Sequence, residues 1–170
     1  ITLNPIKHID PIGTVLVPLM LYFTTQGAFL FGWARPVPVD FSRLNKPKRD
    51  IRYVAFAGPG ANMLMALGWA AALKLQLTMG SQELFFVEMA KAGVMVNLVL
   101  AALNLLPILP LDGGRILFSY LPAKAAYSFS KTEQYGMIIL IVLLVTQVLQ
   151  VFITPLVSLG LAVLATLFNF

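Results

Sequence analysis

The sequence predicts an all-α, polytopic membrane protein, and three observations carry that expectation. First, 59% of its 170 residues are hydrophobic and only 11% are charged. A soluble domain with so few charges would be hard to keep in solution. Second, several apolar runs approach or exceed the ~20 residues that a helix needs to cross a bilayer. Third, the net charge of +5 sits mainly in one short stretch between two of those runs. That is the pattern of membrane topology rather than of nucleic-acid binding, and no nucleic-acid partner is expected. Inside the apolar runs periodicity says little, because a helix in lipid is apolar all round. The chain has no cysteine, which excludes disulfides and thiolate metal sites.

The expected layout is one membrane-embedded domain over 1–170, with four transmembrane helices and a short C-terminal hydrophobic segment. Residues 1–10 are too polar to span; Asp10 can cap a helix and Pro11 suits its first turn. His8 is the only histidine, and a lone imidazole does not make a zinc site. It reads as a hydrogen-bonded loop residue near the membrane surface. The first span covers 11–33, with Gly13, Pro18 and Gly27 predicting a kink and Trp33 an interfacial end. Pro36 and Pro38 forbid a helix over 34–40. The stretch is either an extended segment able to pair with an unfolded chain or a rigid turn.

Arg43, Lys46, Lys48, Arg49 and Arg52 follow, and the positive-inside rule places the 34–52 loop in the cytoplasm. Anionic lipid accounts for the same residues as a partner. The second span covers 53–77 and contains Ala57-Gly58-Pro59-Gly60-Ala61-Asn62. Small residues there allow close helix approach. Asn62 either bonds a neighbouring helix or faces an internal site. Residues 78–87 form a short loop on the opposite side, with one acid and no base. The third span covers 88–109; Asn97 and Asn104 share one face, to pack on the second span or to line a site.

That span ends in Asn104-Leu-Leu-Pro107-Ile-Leu-Pro110-Leu-Asp112-Gly-Gly-Arg115. A carboxylate near hydrocarbon costs about 2.5–3.5 kcal/mol, so Asp112 reads as functional. The prolines and glycines break the helix where it sits, and broken backbone at membrane depth belongs inside protein or beside a water-filled cavity. Asp112 is therefore expected to face an internal polar site such as a metal. The 113–133 loop, with Arg115, Lys124 and Lys131, returns to the cytoplasmic side. The fourth span covers 135–153 and reads as peripheral packing. After Thr154-Pro155 the run 155–170 is expected to be a partial, re-entrant or tilted segment.

Two of these motifs together resemble one family. Asn104-x-x-Pro107…Leu111-Asp112-Gly113 resembles the N-x-x-P…L-D-G signature of the site-2 proteases, the intramembrane zinc metalloproteases. Gly58-Pro59-x-x-Asn62 resembles their G-P-x-x-N segment, one helix upstream. The stretches Thr2–Gly13 and Ala34–Val39 resemble the short bacterial branch that lacks a PDZ insert. The resemblance covers about residues 1–135, and the four pieces in order make it specific.

It implies zinc as cofactor, Asp112 as the third zinc ligand and Asn62 as a contact to substrate or to the developing oxyanion. Asn104 and His8 are weaker candidates. Transmembrane proteins or peptides would be the substrates, and the inner (plasma) membrane of a bacterium the location. The departures are Leu109, where relatives often carry proline, and the absence of H-E-x-x-H, which supplies two ligands and the general base. The chain starts at Ile1, just past where that motif would lie, so truncation is the expectation, with a natural or designed product that lacks the catalytic helix as the competing one. These residues alone are then expected to be inactive. Two other readings stand beside it: a non-catalytic membrane scaffold or binding module of the same fold, and a small transporter. The transporter would need paired broken helices, and one clear break is present.

Overall fold

The structure, a computed structural model, describes residues 10–24, 47–80 and 83–169. The chain forms two compact units, Ile1–Arg43 and Leu44–Phe170. In the first, a π-helical turn over Pro11–Leu16 leads into α1 (Val17–Thr24). Asp10 caps that turn: its Oδ1 accepts from the Ile12 N–H at 2.9 Å. The expected end of this span, the 34–40 segment and His8 lie outside the described residues.

The second unit holds the remaining helices: α2 (Pro47–Thr78), α3 (Leu84–Asn104), α4 (Asp112–Tyr120), α5 (Ala123–Ser130), α6 (Gly136–Val145) and α7 (Val148–Phe168). No strand occurs among the described residues. Among the described residues, four stretches are long and apolar enough to cross a membrane: Lys48–Thr78, Leu84–Asn104, Ala123–Val145 and Val148–Phe168. The molecule is a polytopic all-α membrane protein, as its composition implies.

Helix lengths explain their placement. At 1.5 Å per residue, the 21-residue α3 and α7 match the ~30 Å hydrocarbon layer. The 32-residue α2 reaches about 48 Å, so its basic first turns extend beyond that layer. Pro59 sits inside α2 without ending it. It cannot donate to the carbonyl one turn back, at the buried Ala55.

The core lies between α2, α3 and α7. Ala66 and Ala70 of α2 meet Val94, Leu98 and Ala102 of α3, and Val157 and Leu164 of α7 close the third side. Residues spaced by one turn share a face, so each helix offers one stripe of small or branched side chains. Lipid tails are as apolar as leucine, so close packing rather than water exclusion holds such helices together. Asn97 of α3 is also buried, and its Nδ2 donates to the Gly93 carbonyl at 2.8 Å. Its amide is thus bonded within α3 itself.

The helix ends differ from the sequence expectation in several places: α2 starts at Pro47 rather than 53, and the expected 113–133 loop holds α4 and α5. The third helix starts earlier, at Leu84, and stops at Asn104 rather than 109. The fourth and fifth apolar segments divide at Thr146-Gln147, not at Thr154-Pro155. The Thr146 hydroxyl donates to the Val142 carbonyl at 2.7 Å, and Gln147 turns left-handed at φ 61°. Pro155 lies within α7, which makes the last segment a full 21-residue helix rather than a partial one.

Candidate functional site

The site is built from a helix break. α3 ends at Asn104, and residues 105–111 form turns that Pro107 and Pro110 keep out of the helical ladder. Ile108 N–H donates to the Leu106 carbonyl at 2.8 Å, and Leu111 N–H donates to the Ile108 carbonyl at 2.9 Å. The Leu109–Pro110 peptide is cis. Asp112 is the first residue of α4, with Leu111 extended before it. A helix start suits a carboxylate, because the unpaired N–H groups there carry partial positive charge.

The two glycines after Asp112 let α4 lie against the turn that feeds it. A Cβ on Gly113 would collide with the Leu105 carbonyl, and one on Gly114 would meet the Ile108 carbonyl oxygen at 2.7 Å. Both glycines are buried.

Gly58 of α2 joins the second motif to the first. A Cβ at Gly58 would overlap the Asp112 carboxylate at Oδ2 and approach its Cγ to 3.2 Å. The bare glycine thus leaves α2 open for the carboxylate. Asn62 lies one turn further along the same face of α2 and is half-buried. Among the described residues its side chain has no hydrogen-bond partner, so its amide remains available to a ligand. The structure therefore brings the G-P-x-x-N helix onto the L-D-G aspartate.

Two opposed effects act on the Asp112 carboxyl. Burial pushes its carboxyl above the ordinary carboxylate range, while the Arg115 guanidinium, one turn on in α4, pulls the other way. Arg115 also pairs with Glu133 at 3.5 Å, tying α4 to the 3-10 turn Glu133–Tyr135. A desolvated carboxylate gains most from a cation brought to it.

Among the described residues no three His, Cys, Asp or Glu side chains gather as a metal-binding group. Asp112 is one donor of the expected set. Asn104 ends α3, half-buried, before the turn begins.

One structural residue escaped the sequence reading. Gly136, the first residue of α6, is buried against the turn: a Cβ there would collide with the Leu109 carbonyl and meet Pro110 Cδ at 2.8 Å. It fixes the far side of the segment that aims Asp112. Its only signal was a glycine at the head of an apolar run.

The sequence is similar to known proteins. Residues 75–147 match the model of "Peptidase family M50". A Bacillus subtilis protein with the given name "Putative zinc metalloprotease YwhC" is 35% identical over 165 residues, covering 94% of this chain and 71% of that protein. The chain belongs to peptidase family M50, the site-2 proteases. A second relative is "Putative zinc metalloprotease Rip2" of Mycolicibacterium smegmatis. It is 29% identical over 154 residues, 88% of this chain and 55% of that protein. The chain thus spans just over half of one relative and under three quarters of the other. No solved structure matches it at a significant level. M50 is a family of zinc metalloproteases, and the helix break that leads into Asp112 falls within the matched residues.

Proposed function

We propose that the protein cleaves peptide bonds in or near transmembrane segments of its substrates, with Asp112 as a ligand of a catalytic zinc. The single observation that carries this reading is the Gly58–Asp112 approach, which puts a half-buried carboxylate against a helix face kept clear for it. A carboxylate ligand completes a three-ligand set that leaves one position for water. When bound, the metal would lower the pKa of that water towards ~7 and polarise the scissile carbonyl.

The chain's own residues have separate tasks in this reading. Asp112 holds charge and is aimed by the 105–111 turn, by Gly136 and by the start of α4. Gly58 keeps the adjacent helix face open. The Asn62 amide donates a hydrogen bond to the substrate backbone or to the oxyanion that forms on it. The substrate must be locally unwound, since a helical carbonyl is already bonded within its own ladder. The basic stretches 34–52 and 113–133 would face the cytoplasm, and the bacterial inner membrane fits as the location.

The 170 residues contain one histidine and no H-E-x-x-H, so the remaining ligands and the general base must come from outside them. The 170 residues by themselves are then inactive. Zinc content decides between this reading and a non-catalytic module. Near one zinc per molecule is expected when the chain is joined to a helix carrying H-E-x-x-H, and none without it. Zinc in neither form would favour the module. In the joined protein, Asp112→Asn should abolish cleavage and weaken zinc binding; full retained activity would sink the assignment.

A further inference from the structure

At the charge-rich end of α2, away from the Asp112 site, lies a cleft of about 300 Å³ lined by Arg49, Arg52, Tyr53, Phe56 and Tyr120. It joins two helices. The Arg52 guanidinium lies 4.6 Å from the centre of the Tyr120 ring, at the end of α4, and its Nε donates to the Lys48 carbonyl at 3.3 Å. Lys48 Nζ donates to the Leu121 carbonyl, just past α4, at 2.7 Å. Arg49 lies 5.6 Å from the centre of the Tyr53 ring. Among the described residues no carboxylate pairs with Lys48, Arg49 or Arg52. Aromatic faces hold the two guanidinium groups in place, so little freedom is lost when their planar forks take an anion.

The rest of that helix face identifies the anion's owner. From the cleft it continues along α2 through Phe56 and Gly60 to Met63 and Leu64, spaced as neighbours on one side of a helix. Phe56, Met63 and Leu64 are exposed, and a Cβ at Gly60 would meet open space. A doubly basic head site thus leads into an apolar strip on a membrane-spanning helix. A soluble anion would use the head site alone; a phospholipid fills both.

We propose that this cleft binds the phosphate of an anionic phospholipid, whose acyl chain lies along the Phe56–Leu64 strip. The bound lipid clamps the start of α2 to the end of α4. These are the same two helices whose packing sets the Gly58–Asp112 approach. Lipid composition therefore adjusts the site from its far end. The binding itself stands whether or not the chain cleaves peptides.

The test is lipid retention by the intact protein in zwitterionic detergent, counted by native mass spectrometry during titration. The probes are phosphatidylglycerol, phosphatidylcholine and inorganic phosphate. Phosphatidylglycerol is expected to bind at least about ten-fold more tightly than phosphatidylcholine, and millimolar inorganic phosphate is expected not to displace it. R49Q/R52Q should weaken phosphatidylglycerol about ten-fold or more. K124Q, which removes an exposed charge elsewhere, should leave it unchanged. R49Q alone, lacking a side chain with no backbone bond to lose, serves if the double variant misfolds. Equal retention of the two lipids would overturn the proposal. So would displacement by phosphate, or an equal loss in K124Q, which would mean diffuse charge attraction.

Discussion

Glycine does at position 58 what no other residue can. The Asp112 carboxylate occupies the space that a Cβ would take. Gly58→Ala must therefore push the carboxylate aside, and metal geometry tolerates only a few tenths of an ångström. Zinc affinity of the ligand-complete protein is expected to fall at least about ten-fold, measured by competition with a chelator, while helix content stays constant. Gly60→Ala is the matched control, on the same helix with open space around it. It should leave zinc unchanged and raise stability by about 0.5–1 kcal/mol, as removing a helical glycine does. The sequence already singled out Asp112 and Asn62, because an acid and an amide in apolar runs are costly to place in lipid, and the structure brings their two helices together. The part played by Gly58 was not legible in the sequence. A missing side chain has no chemistry to read, and its value appears only when α4 is laid against α2.

The 105–111 turn shows the same limit one scale up. Its prolines and the following glycines predict a break near Asp112, yet α3 stops sooner, at Asn104, ahead of both prolines. They do not predict what the turn leans on. That support is Gly136 of α6, reached only after the chain has passed through α4 and α5. Gly136→Ala should force backbone apart at the Leu109 carbonyl, costing about 1–3 kcal/mol by steric-trap or denaturant unfolding, with zinc affinity reduced as well.

The α6–α7 break teaches a related lesson about element ends. Proline looked like the natural breaker, yet Pro155 lies within α7 because in lipid a freed carbonyl can be re-satisfied locally. The break instead falls at Gln147, held left-handed at φ 61°. An L-residue there is strained, so Gln147→Gly is expected to stabilise the protein by about 0.5–1 kcal/mol in the same unfolding measurement. A stability loss would mean that the Gln147 side chain makes a contact worth more than the strain.

At the scale of the whole molecule, the ordinary arrangement of side chains is inverted. The centre is lined by Ala66, Ala70, Ala102 and Leu164, while Leu144, Val145, Val151, Phe152, Leu159 and Leu167 point outward. In water such a surface would be an aggregation hazard; in a bilayer it is solvated. Hydropathy therefore announced the membrane but could not say which leucines matter, since every face reads alike. The structure separates them. Leu164 is 1% exposed between α2 and α3, and Leu144 is 59% exposed on α6. Leu164→Ala should open a cavity that rigid neighbouring helices cannot fill, costing about 2–4 kcal/mol. Leu144→Ala trades one lipid contact for another and should stay within about 0.5 kcal/mol. Measured side by side in a single bilayer-like environment, the two values test the helix arrangement itself. Equal costs would mean that α7 does not sit where its buried face places it.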